Sequence, residues 1–463
     1  MTDRVDVAVV GGGITGLATA WWLRKRGFEV LVLDQAEEPG GTMRTVSDAG
    51  WLIETGPNSA LETTPLFQVL FEDLGLSGEV VYGNASANKR FILRDGRLHV
   101  LPMSAPAFLG SKLWSTAGKV RLLLEPFIGR ASSEETIAQF VRRRLGREFL
   151  DYAINPFVAG VYAGDPEQLS VQAAFPKLHA LEREYGSLIV GQIRGARKRA
   201  RRAEQSKDRA RLFSFRGGMQ TLPKSLADKL GTAYRGNAKV ESVQAYGQGY
   251  MLDLGDGRGR IMARCVVTAA PTRQTGRLLQ DLEPSIAPLL ESIPYPPVAE
   301  VFLGFHRDAV SHPLDGFGFL VPTVERRRIL GTLWSSTLFP GRAPEGHVAL
   351  TTFVGGSRQP LLAGLPDDQL LDAVIGDLSA VLGISADPVY RRIIRWDRAI
   401  PQYGLGHLSI VDRVRAVEGR LPGLFVSGNF IGGISVGDCV MQSERTADRV
   451  EQIMNQHSPS GHH

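Results

Sequence analysis

One feature constrains the fold of this chain more than any other: an apolar stretch that runs directly into a glycine-rich turn. Residues 7–10 predict a strand, and the turn after them consists of Gly11, Gly12, Gly13, Ile14, Thr15 and Gly16. An apolar helix over 17–26, a second strand over 30–33 and Asp34 complete the unit. In this order, backbone N–H groups of the turn reach a pyrophosphate at a helix N-terminus, and the acid accepts hydrogen bonds from ribose hydroxyls. The sequence therefore predicts a Rossmann-type unit that binds a dinucleotide.

Length and composition set the broad class. With 463 residues, 43% of them hydrophobic, the chain can bury a large core in two or three domains. Its two cysteines, Cys265 and Cys439, are far apart, which argues against a disulfide framework, a zinc site or a dithiol redox pair and fits a reducing compartment. We expect no metal site, no bilayer-spanning segment and a cytoplasmic protein. Residues 458–463 are expected to be disordered and to include a tag remnant.

The positive charge is concentrated in one segment. The formal net charge is +5, yet residues 194–211 hold nine Lys or Arg against two acids. This run is either a solvated face or a contact with an anionic membrane surface. No recognition motif or interleaved aromatic residues accompany it, so nucleic acid is not expected as a partner.

A second glycine pair follows the ribose acid and favours a flavin over a nicotinamide cofactor. It contributes Gly41, Thr42 and Arg44, and a further segment contributes Gly56, Pro57, Asn58 and Ser59. Large flavoproteins extend the Rossmann unit along FAD in this way. The glycines let backbone close on the pyrophosphate, and the arginine offers a charged fork toward phosphate or the flavin.

A second nucleotide fold is not predicted. The glycines at 255–260 lie between two short strand patterns and indicate a hairpin turn. Without an NAD(P)H site, the flavin would take electrons from the substrate and pass them to oxygen or another acceptor. The sequence therefore favours an oxidase or dehydrogenase.

Later segments complete the predicted cofactor domain. Residues 423–429 predict a strand, and a glycine-rich turn at 432–438 precedes a helix over 439–455, so that N–H groups at its N-terminus suit the flavin N1–C2=O edge. Residues 238–243 and 265–271 predict further strands. The predicted FAD-binding domain comprises 1–80, 215–295 and 410–463 of an α/β (α+β overall) chain. The remaining cofactor candidates are Val240, Asn429, Ile434, Ser435 and Val436.

The chain resembles the oxygen-dependent, FAD-containing protoporphyrinogen oxidases, within the wider monoamine oxidase-like superfamily, and is most similar to their plant-type branch and its bacterial relatives. The most specific stretches are G-V-Y-A-G-D-P at 160–166, Y-P-P-V-A at 295–299 and L-F-P-x-R at 338–342. Stretches at 54–59, 89–93, 169–170, 173–177, 316–322, 399–403 and 428–439 extend the likeness nearly end to end.

The resemblance implies a reaction and a pocket. It implies noncovalent FAD, three rounds of hydride transfer from a porphyrinogen to flavin N5, and oxygen as acceptor, with hydrogen peroxide as by-product. By position in the matching stretches, Arg90 would bind a propionate, Leu320 and Phe339 would sandwich the pyrrole rings, and Gly160 would let backbone approach the macrocycle. No catalytic residue is assigned beyond flavin N5. Asp34 stands where relatives often have Glu, and Thr42 interrupts the family's glycine–arginine motif.

The rest of the chain is expected to form two further units. Residues 81–89, 190–214 and 296–409 would form a substrate-binding domain with a mixed sheet, and 90–189 a helical lobe. A helix is predicted to start at 133–136, with an apolar face of Ile137, Phe140, Val141 and Leu145 and three arginines between these positions. The lobe's apolar bulk fits packing around the substrate cavity. The resemblance implies that the lobe also rests on the inner face of the cell membrane.

Several alternatives stay open. Coproporphyrinogen III could replace protoporphyrinogen IX, since the two differ by propionates replaced with vinyls. A flavin amine oxidase would favour an aromatic cage and a lysine near the flavin, a carotenoid-type desaturase would give Arg90 no role, and a flavin-binding sensor would not turn over. The sequence leaves the oligomeric state open, and a homodimer is one of the states that it allows.

Overall fold

The computed structural model describes residues 2–194, 210–255 and 259–456. The basic run at 194–211 and the C-terminal segment 458–463, both singled out from the sequence, lie largely or entirely outside these residues. The strands of the described residues, in chain order, are β1 (Thr2–Val10), β2 (Val30–Leu33), β3 (Thr45–Asp48), β4 (Trp51–Glu54), β5 (Ala60–Leu61), β6 (Val80–Tyr82), β7 (Arg90–Arg94), β8 (Arg97–Val100), β9 (Leu212–Phe215), β10 (Tyr234–Arg235), β11 (Ser242–Tyr246), β12 (Gly249–Asp253), β13 (Arg260–Thr268), β14 (Val298–His306), β15 (Gly318–Leu320), β16 (Ile329–Leu333), β17 (His347–Gly355), β18 (Tyr390–Trp396) and β19 (Leu424–Val426).

The helices vary from single turns to a C-terminal helix of 21 residues. A π-helical segment, Leu150–Ile154, joins two of them into one continuous helix. The α-helices are α1 (Ile14–Lys25), α2 (Leu66–Leu74), α3 (Ala105–Gly110), α4 (Thr116–Leu123), α5 (Ile137–Arg144), α6 (Arg147–Phe149), α7 (Asn155–Tyr162), α8 (Val171–Ala174), α9 (Pro176–Tyr185), α10 (Thr221–Leu230), α11 (Thr272–Leu279), α12 (Ile286–Glu291), α13 (Ser335–Leu338), α14 (Asp367–Leu382), α15 (His407–Arg420) and α16 (Val436–Gln456).

The first sheet is the predicted Rossmann-type unit, and the α/β fold class is confirmed. Its strand order is β10-β2-β1-β13-β12-β11, and β19 also pairs with β13. Strand β13 pairs parallel with β1 along its length, antiparallel with β12 over its first half and parallel with β19 over its second half. Because side chains alternate along a strand, Val7 and Val9 of β1 face α1 and α16, whereas Ala8 and Val10 face α11, α12 and α15.

The second sheet is mixed, as expected, with the order β18-β14-β17-β16-β15-β7-β8. Only β15 and β7 pair in parallel among its described strands. The odd-numbered residues of β14 pack against α14, and its even-numbered residues Phe302 and Gly304 contact Trp51 of β4. A side chain at 304 would meet the Trp51 ring at 2.3 Å, so this contact between the two halves of the molecule requires glycine.

Two expected domain boundaries differ from the strand pairing. Residues 90–100 were assigned to the helical lobe, but β7 and β8 extend the second sheet through the pairing of β7 with β15. Residues 212–214 were assigned to the substrate-binding domain, but β9 pairs with β5 and β6, and Phe213 packs in the same core as α1 and α2. In both places tertiary pairing, which the local pattern does not encode, decides the membership.

Element boundaries also differ from the sequence expectations. The first helix begins at Ile14 rather than at residue 17, and the last begins at Val436 rather than at 439, because both glycine turns lead into helical backbone earlier than the apolar pattern suggests. Residues 238–241 precede β11 and form no ladder. The predicted hairpin at 255–260 is confirmed by the antiparallel pairing of β12 with β13, although 256–258 lie outside the described residues.

Residues 101–185 contain helices α3 to α9, but one arginine among them is not where the pattern places it. Thr136 is the N-cap of helix α5 and forms a capping box with Gln139. Arg144, expected beside the apolar face, is fully buried between Glu125 and Glu182. Three charges are buried together because each carboxylate accepts hydrogen bonds from the guanidinium.

Candidate functional site

The glycine turn between β1 and α1 has the shape that a pyrophosphate requires. Gly11 has φ +116°, and a Cβ at Gly16 would lie 1.9 Å from the Gly11 carbonyl oxygen, so neither position accepts a side chain. A Cβ at Gly13 would meet no protein atom within 4 Å. The loop is therefore tight on its inner side and open at Gly13, where a ligand could approach the backbone.

The N-terminus of α1 is free to hold an anion. Gly13 occupies the N-cap position, no side chain caps the helix, and its first turn contains no acid. The side chains of Ile14 and Thr15 are buried, so these residues would offer backbone N–H groups. Uncapped N–H groups and the helix dipole favour phosphate at this end.

Asp34 lies beside the same turn. Its carboxylate accepts hydrogen bonds from the N–H groups of Gly12 and, at 2.7 Å, of Ala36. A carboxylate has about four acceptor positions, so this one retains capacity for ribose hydroxyls. Val240 is the predicted contact farther along the nucleotide. It is buried in the core between the first sheet and helices α11, α12 and α15.

The second glycine pair is brought next to the first. Gly40 donates its N–H to the Gly12 carbonyl at 2.8 Å and pairs with Gly13. A Cβ at Gly41 would lie 3.3 Å from the Gly13 Cα. Arg44 folds back onto its own turn, where its Nε donates to the Gly41 carbonyl at 3.0 Å. Thus the guanidinium predicted to reach phosphate lies at the edge of the pyrophosphate cradle.

The segment 55–59 runs against this turn. A Cβ at Gly56 would lie 1.9 Å from the Thr42 carbonyl oxygen, so the two segments touch through backbone. Asn58 donates to the Gly56 carbonyl at 3.2 Å. The structure thus brings Gly41, Thr42 and Gly56 together, with the half-buried side chains of Pro57, Asn58 and Ser59 following directly.

The turn before α16 is held by residues to which sequence reasoning assigned no role. Tyr403 donates its hydroxyl to the Asn429 carbonyl at 2.5 Å and accepts the Gly433 N–H at 3.1 Å. The His407 ring stacks on Tyr403 at 4.1 Å between centroids and contacts the Phe430 carbonyl at 3.0 Å. Burial raises the pKa of Tyr403 and lowers that of His407, so both act as neutral hydrogen-bonding groups. The sequence contains one signal for Tyr403, because the stretch at 399–403 is part of the resemblance.

The residues predicted in this turn take different positions. Ser435 caps α16, because its hydroxyl donates to the Asp438 carboxylate at 2.6 Å and accepts the Asp438 N–H at 3.1 Å. Val436 is buried against the first sheet, and Ile434 packs on the core of the helical lobe. The turn therefore connects the cofactor domain to the lobe.

Three of the four predicted substrate residues surround β15. Arg90 pairs across from Gly318, and its guanidinium lies 5.4 Å from the centre of the Phe317 ring. Leu320 ends the same strand, and a Cβ at Gly160 of α7 would lie 2.6 Å from its Cδ2. Phe339 is buried and joins this group through Phe317.

A small cavity lies between the predicted substrate wall and the predicted flavin segment. It is lined by both Phe339 and Asn58, and also by Glu54 and Arg342. These two charged residues are almost fully buried. Both belong to stretches that carry the resemblance, ETGPNS at 54–59 and LFPGR at 338–342, but sequence reasoning gives neither residue a role.

The two cysteines are buried, free thiols. Cys439 lies in the first turn of α16, where burial raises the pKa of its thiol to about 11. Burial raises the pKa of Cys265 as well. Across the described ranges no cluster of His, Cys, Asp and Glu could hold a metal ion.

Comparison with known proteins adds the following findings. The family described as flavin containing amine oxidoreductase matches residues 14–451. Protoporphyrinogen oxidase 2, chloroplastic/mitochondrial, of Arabidopsis thaliana is 34% identical over 96% of this chain and 93% of its own length. The coproporphyrinogen III oxidase of Bacillus subtilis (strain 168) is 29% identical over 96% and 97%. A crystal structure from Exiguobacterium sp. 255-15, provisionally assigned as a protoporphyrinogen oxidase, superimposes with a TM-score of 0.81 at 26% identity and covers 98% of this chain and 99% of its own.

Proposed function

The chain belongs to the family of flavin-containing amine oxidoreductases, and on that basis we propose that it is an FAD-dependent porphyrinogen oxidase. The observation that carries the proposal is the nearly full-length similarity to porphyrinogen oxidases at about one third identity. The cradle formed by Gly11 to Gly16, Gly41 and Gly56 supports FAD as the cofactor. Because Cys439 is buried in the core beneath α1, we propose that FAD is bound noncovalently.

Protoporphyrinogen IX is the proposed substrate, oxidised to protoporphyrin IX in haem biosynthesis with oxygen as acceptor. The plant protoporphyrinogen oxidases favour this choice at 32–34% identity. Coproporphyrinogen III is the second candidate, because two bacterial coproporphyrinogen III oxidases match at 29% and 31% identity over most of the chain. Both substrates are macrocycles with propionate carboxylates, and coproporphyrinogen III has two more of them.

Each predicted pocket residue has a role that fits the proposed substrate. Bound FAD supplies a hydride acceptor that passes electrons to oxygen, which leaves as hydrogen peroxide. Arg90, exposed at the end of β7, pairs with a substrate carboxylate as a charged fork. Leu320 and Phe339 provide apolar walls, and the Gly160 backbone, against which Leu320 packs, approaches the macrocycle. The chain's contribution is to orient the reacting C–H bond in a dry pocket.

A direct rate comparison tests the proposal. The purified yellow protein should lose its flavin colour anaerobically on addition of protoporphyrinogen IX and regain it in air, and coproporphyrinogen III should react more slowly. Faster oxidation of coproporphyrinogen III would reverse the substrate assignment. Bleaching by primary amines but by neither porphyrinogen would replace the proposed function with amine oxidation.

We also propose that the helical lobe contacts a membrane surface. Large apolar side chains are exposed along one part of it: Met103, Leu109, Val120, Leu123, Leu124 and Phe127. Such a surface could receive a poorly soluble substrate from lipid. Within the described part of the chain no helix has the length and apolar character needed to cross a bilayer. A homodimer stays a prediction.

A further inference from the structure

Two buried carboxyl groups and one arginine lie together where the two-stranded sheet of β3 and β4 meets the second sheet. Glu54 ends β4, Glu300 lies within β14, and Arg342 follows α13. Their exposed fractions are 4%, 2% and 2%. Glu300 has the same parity as Phe302 and Gly304, whose face of β14 contacts β4. The group is therefore built by tertiary contact between distant segments.

Arg342 is shared among several acceptors. Its Nη2 lies 3.4 Å from Glu54 Oε1 and donates to Ser214 Oγ at 2.7 Å and to the Phe215 carbonyl. Its Nη1 has no partner among the described residues. One arginine in this position can balance the charge of one carboxylate, but two carboxyl groups, Glu54 and Glu300, are buried here.

Glu54 is well provided with hydrogen-bond donors. Thr45 Oγ1 donates to it at 2.7 Å and the Met219 N–H at 2.9 Å. Burial still raises its pKa to about 7, against the lowering effects of Arg342 and these two donors. Glu54 can therefore exchange a proton at neutral pH.

Glu300 has fewer hydrogen-bond donors around it than Glu54 has. The Asn58 side chain lowers its pKa, but its Oε1 has no hydrogen-bond partner among the described residues. Full burial raises its pKa well above the usual range, and the charge of Glu54 raises it further. An ionised carboxylate with no cation beside it is expensive to bury, so Glu300 holds a proton in the folded protein.

The cavity connects this group to the proposed site. It is lined by Glu54, Asn58 and Arg342 on one side and by Phe302 and Phe339 on the other, with space for about one water molecule. Asn58 belongs to the proposed flavin segment and Phe339 to the proposed substrate wall. Glu54 therefore lines the same cavity as one residue of each proposed wall.

We propose that Glu54 and Glu300 form a proton-sharing pair that takes up and returns the proton displaced in each round of oxidation. This inference rests on the proposed function. In each round a methylene C–H bond of the porphyrinogen breaks and hydride leaves to the bound cofactor, while one proton leaves the macrocycle and passes to the ionised member of the pair. Over three rounds these protons come from two N–H bonds and from a C–H bond of the fourth methylene carbon. Oxygen then takes the two electrons, the hydride's proton and the held proton, and leaves as hydrogen peroxide. The pair returns to its starting state.

Infrared spectroscopy tests the shared proton without turnover. The pH-difference spectrum of the flavin-loaded wild type across neutral pH should contain a carbonyl band of a protonated carboxyl group that shifts in deuterated water. Glu300→Gln or Glu54→Gln should remove or displace this band. The matched control is Glu418→Gln, a buried carboxylate that Arg415 and Arg449 neutralise, and it should keep the wild-type band. An unchanged band in both variants of the pair would overturn the proposal.

Steady-state kinetics tests the use of the proton. Glu54→Gln should lower kcat about 100-fold with little change in KM and in the ratio of flavin to protein absorbance, because it removes the group that accepts the proton and general acid–base groups contribute on this scale. Glu300→Gln should keep a measurable kcat but move the change of kcat with pH near 7. An unaltered kcat and pH profile in both variants would overturn the relay. If the wild type oxidises no porphyrinogen but shows the infrared band, the proposed function fails and the shared proton stands.

Discussion

At the scale of single residues, Gly13 and Gly16 lie three positions apart in one loop but have opposite surroundings. A side chain at Gly16 would collide with the Gly11 carbonyl, whereas a side chain at Gly13 would enter open space. Gly16 is therefore required by the fold. Gly13 would be required by the cofactor.

Gly13→Val should give a folded, colourless protein, because the added side chain would fill the space proposed for the pyrophosphate. The free energy of unfolding of the cofactor-free protein should change by no more than about 1 kcal/mol. Flavin absorbance and urea unfolding measure the two effects. Gly16→Val is the contrasting variant and should fail to fold stably. Retention of flavin by Gly13→Val would contradict the proposed cradle.

Arg90→Ala should raise KM about 10-fold or more and leave the flavin content unchanged, since a hydrogen-bonded charge pair contributes about 1.5–3 kcal/mol. Arg97→Ala is the matched control, because Arg97 is an exposed arginine of the same hairpin and should leave KM unchanged. An equal KM for wild type and Arg90→Ala would remove Arg90 from the pocket.

At the scale of elements, α5 shows how a polar residue can organise a helical lobe. Arg144 binds Glu125 from one side and Glu182 of α9 from the other. Glu125 in turn accepts the Ser187 hydroxyl and the Leu188 N–H, at the start of the helical residues 188–194. One buried guanidinium thus joins three segments of the lobe.

Arg144→Met should destabilise the lobe by about 3–5 kcal/mol, because it leaves Glu125 buried without its cation. The neighbouring Arg142 is half-exposed and pairs with Glu167 at the surface. Arg142→Met should therefore cost less than about 1 kcal/mol. Urea unfolding and limited proteolysis compare the two variants, and equal stability would contradict the role of Arg144.

At the scale of the whole molecule, the junction between β4 and the second sheet makes the free energy of unfolding depend on pH. Folding raises the pKa of Glu54 from its ordinary value of 4.5 to about 7. Between these values the folded protein binds more protons than the unfolded chain, so the free energy of unfolding falls as the pH rises. Glu300 acts in the same direction.

Glu54→Gln should flatten this dependence between about pH 4.5 and 7, where the wild type loses about 3 kcal/mol through Glu54. Urea unfolding at several pH values, at matched flavin occupancy, measures the slope. Glu418→Gln should keep the wild-type slope. Equal slopes for wild type and Glu54→Gln would contradict the assignment.

The lobe's exposed apolar surface gives a second test at this scale. Phe127→Glu should weaken binding to lipid vesicles, because the Phe127 side chain is 84% exposed in the apolar region proposed for contact. Leu361, which is 87% exposed on the substrate-domain side, provides the control Leu361→Glu. Co-sedimentation measures binding, and an equal loss in both variants would contradict a specific membrane face.

The sequence by itself determined the nucleotide unit and the family. The order of Gly11 to Gly16, the following helix and Asp34 is a local pattern, and each part has its effect within about thirty residues. The turn at 432–438 and the helical lobe were likewise found from local periodicity and capping. The resemblance placed Arg90, Gly160 and Leu320, which the fold brings around one strand.

Only the tertiary structure decided which charged residues are buried. Arg142, Arg143 and Arg144 are identical in type and adjacent in sequence, yet only Arg144 is fully enclosed, because its partners come from residues 125 and 182. The charge of Glu54 likewise raises the pKa of Glu300, although the two residues are far apart in the chain. Burial and charge compensation depend on which segments pack together, and a linear pattern does not contain that information.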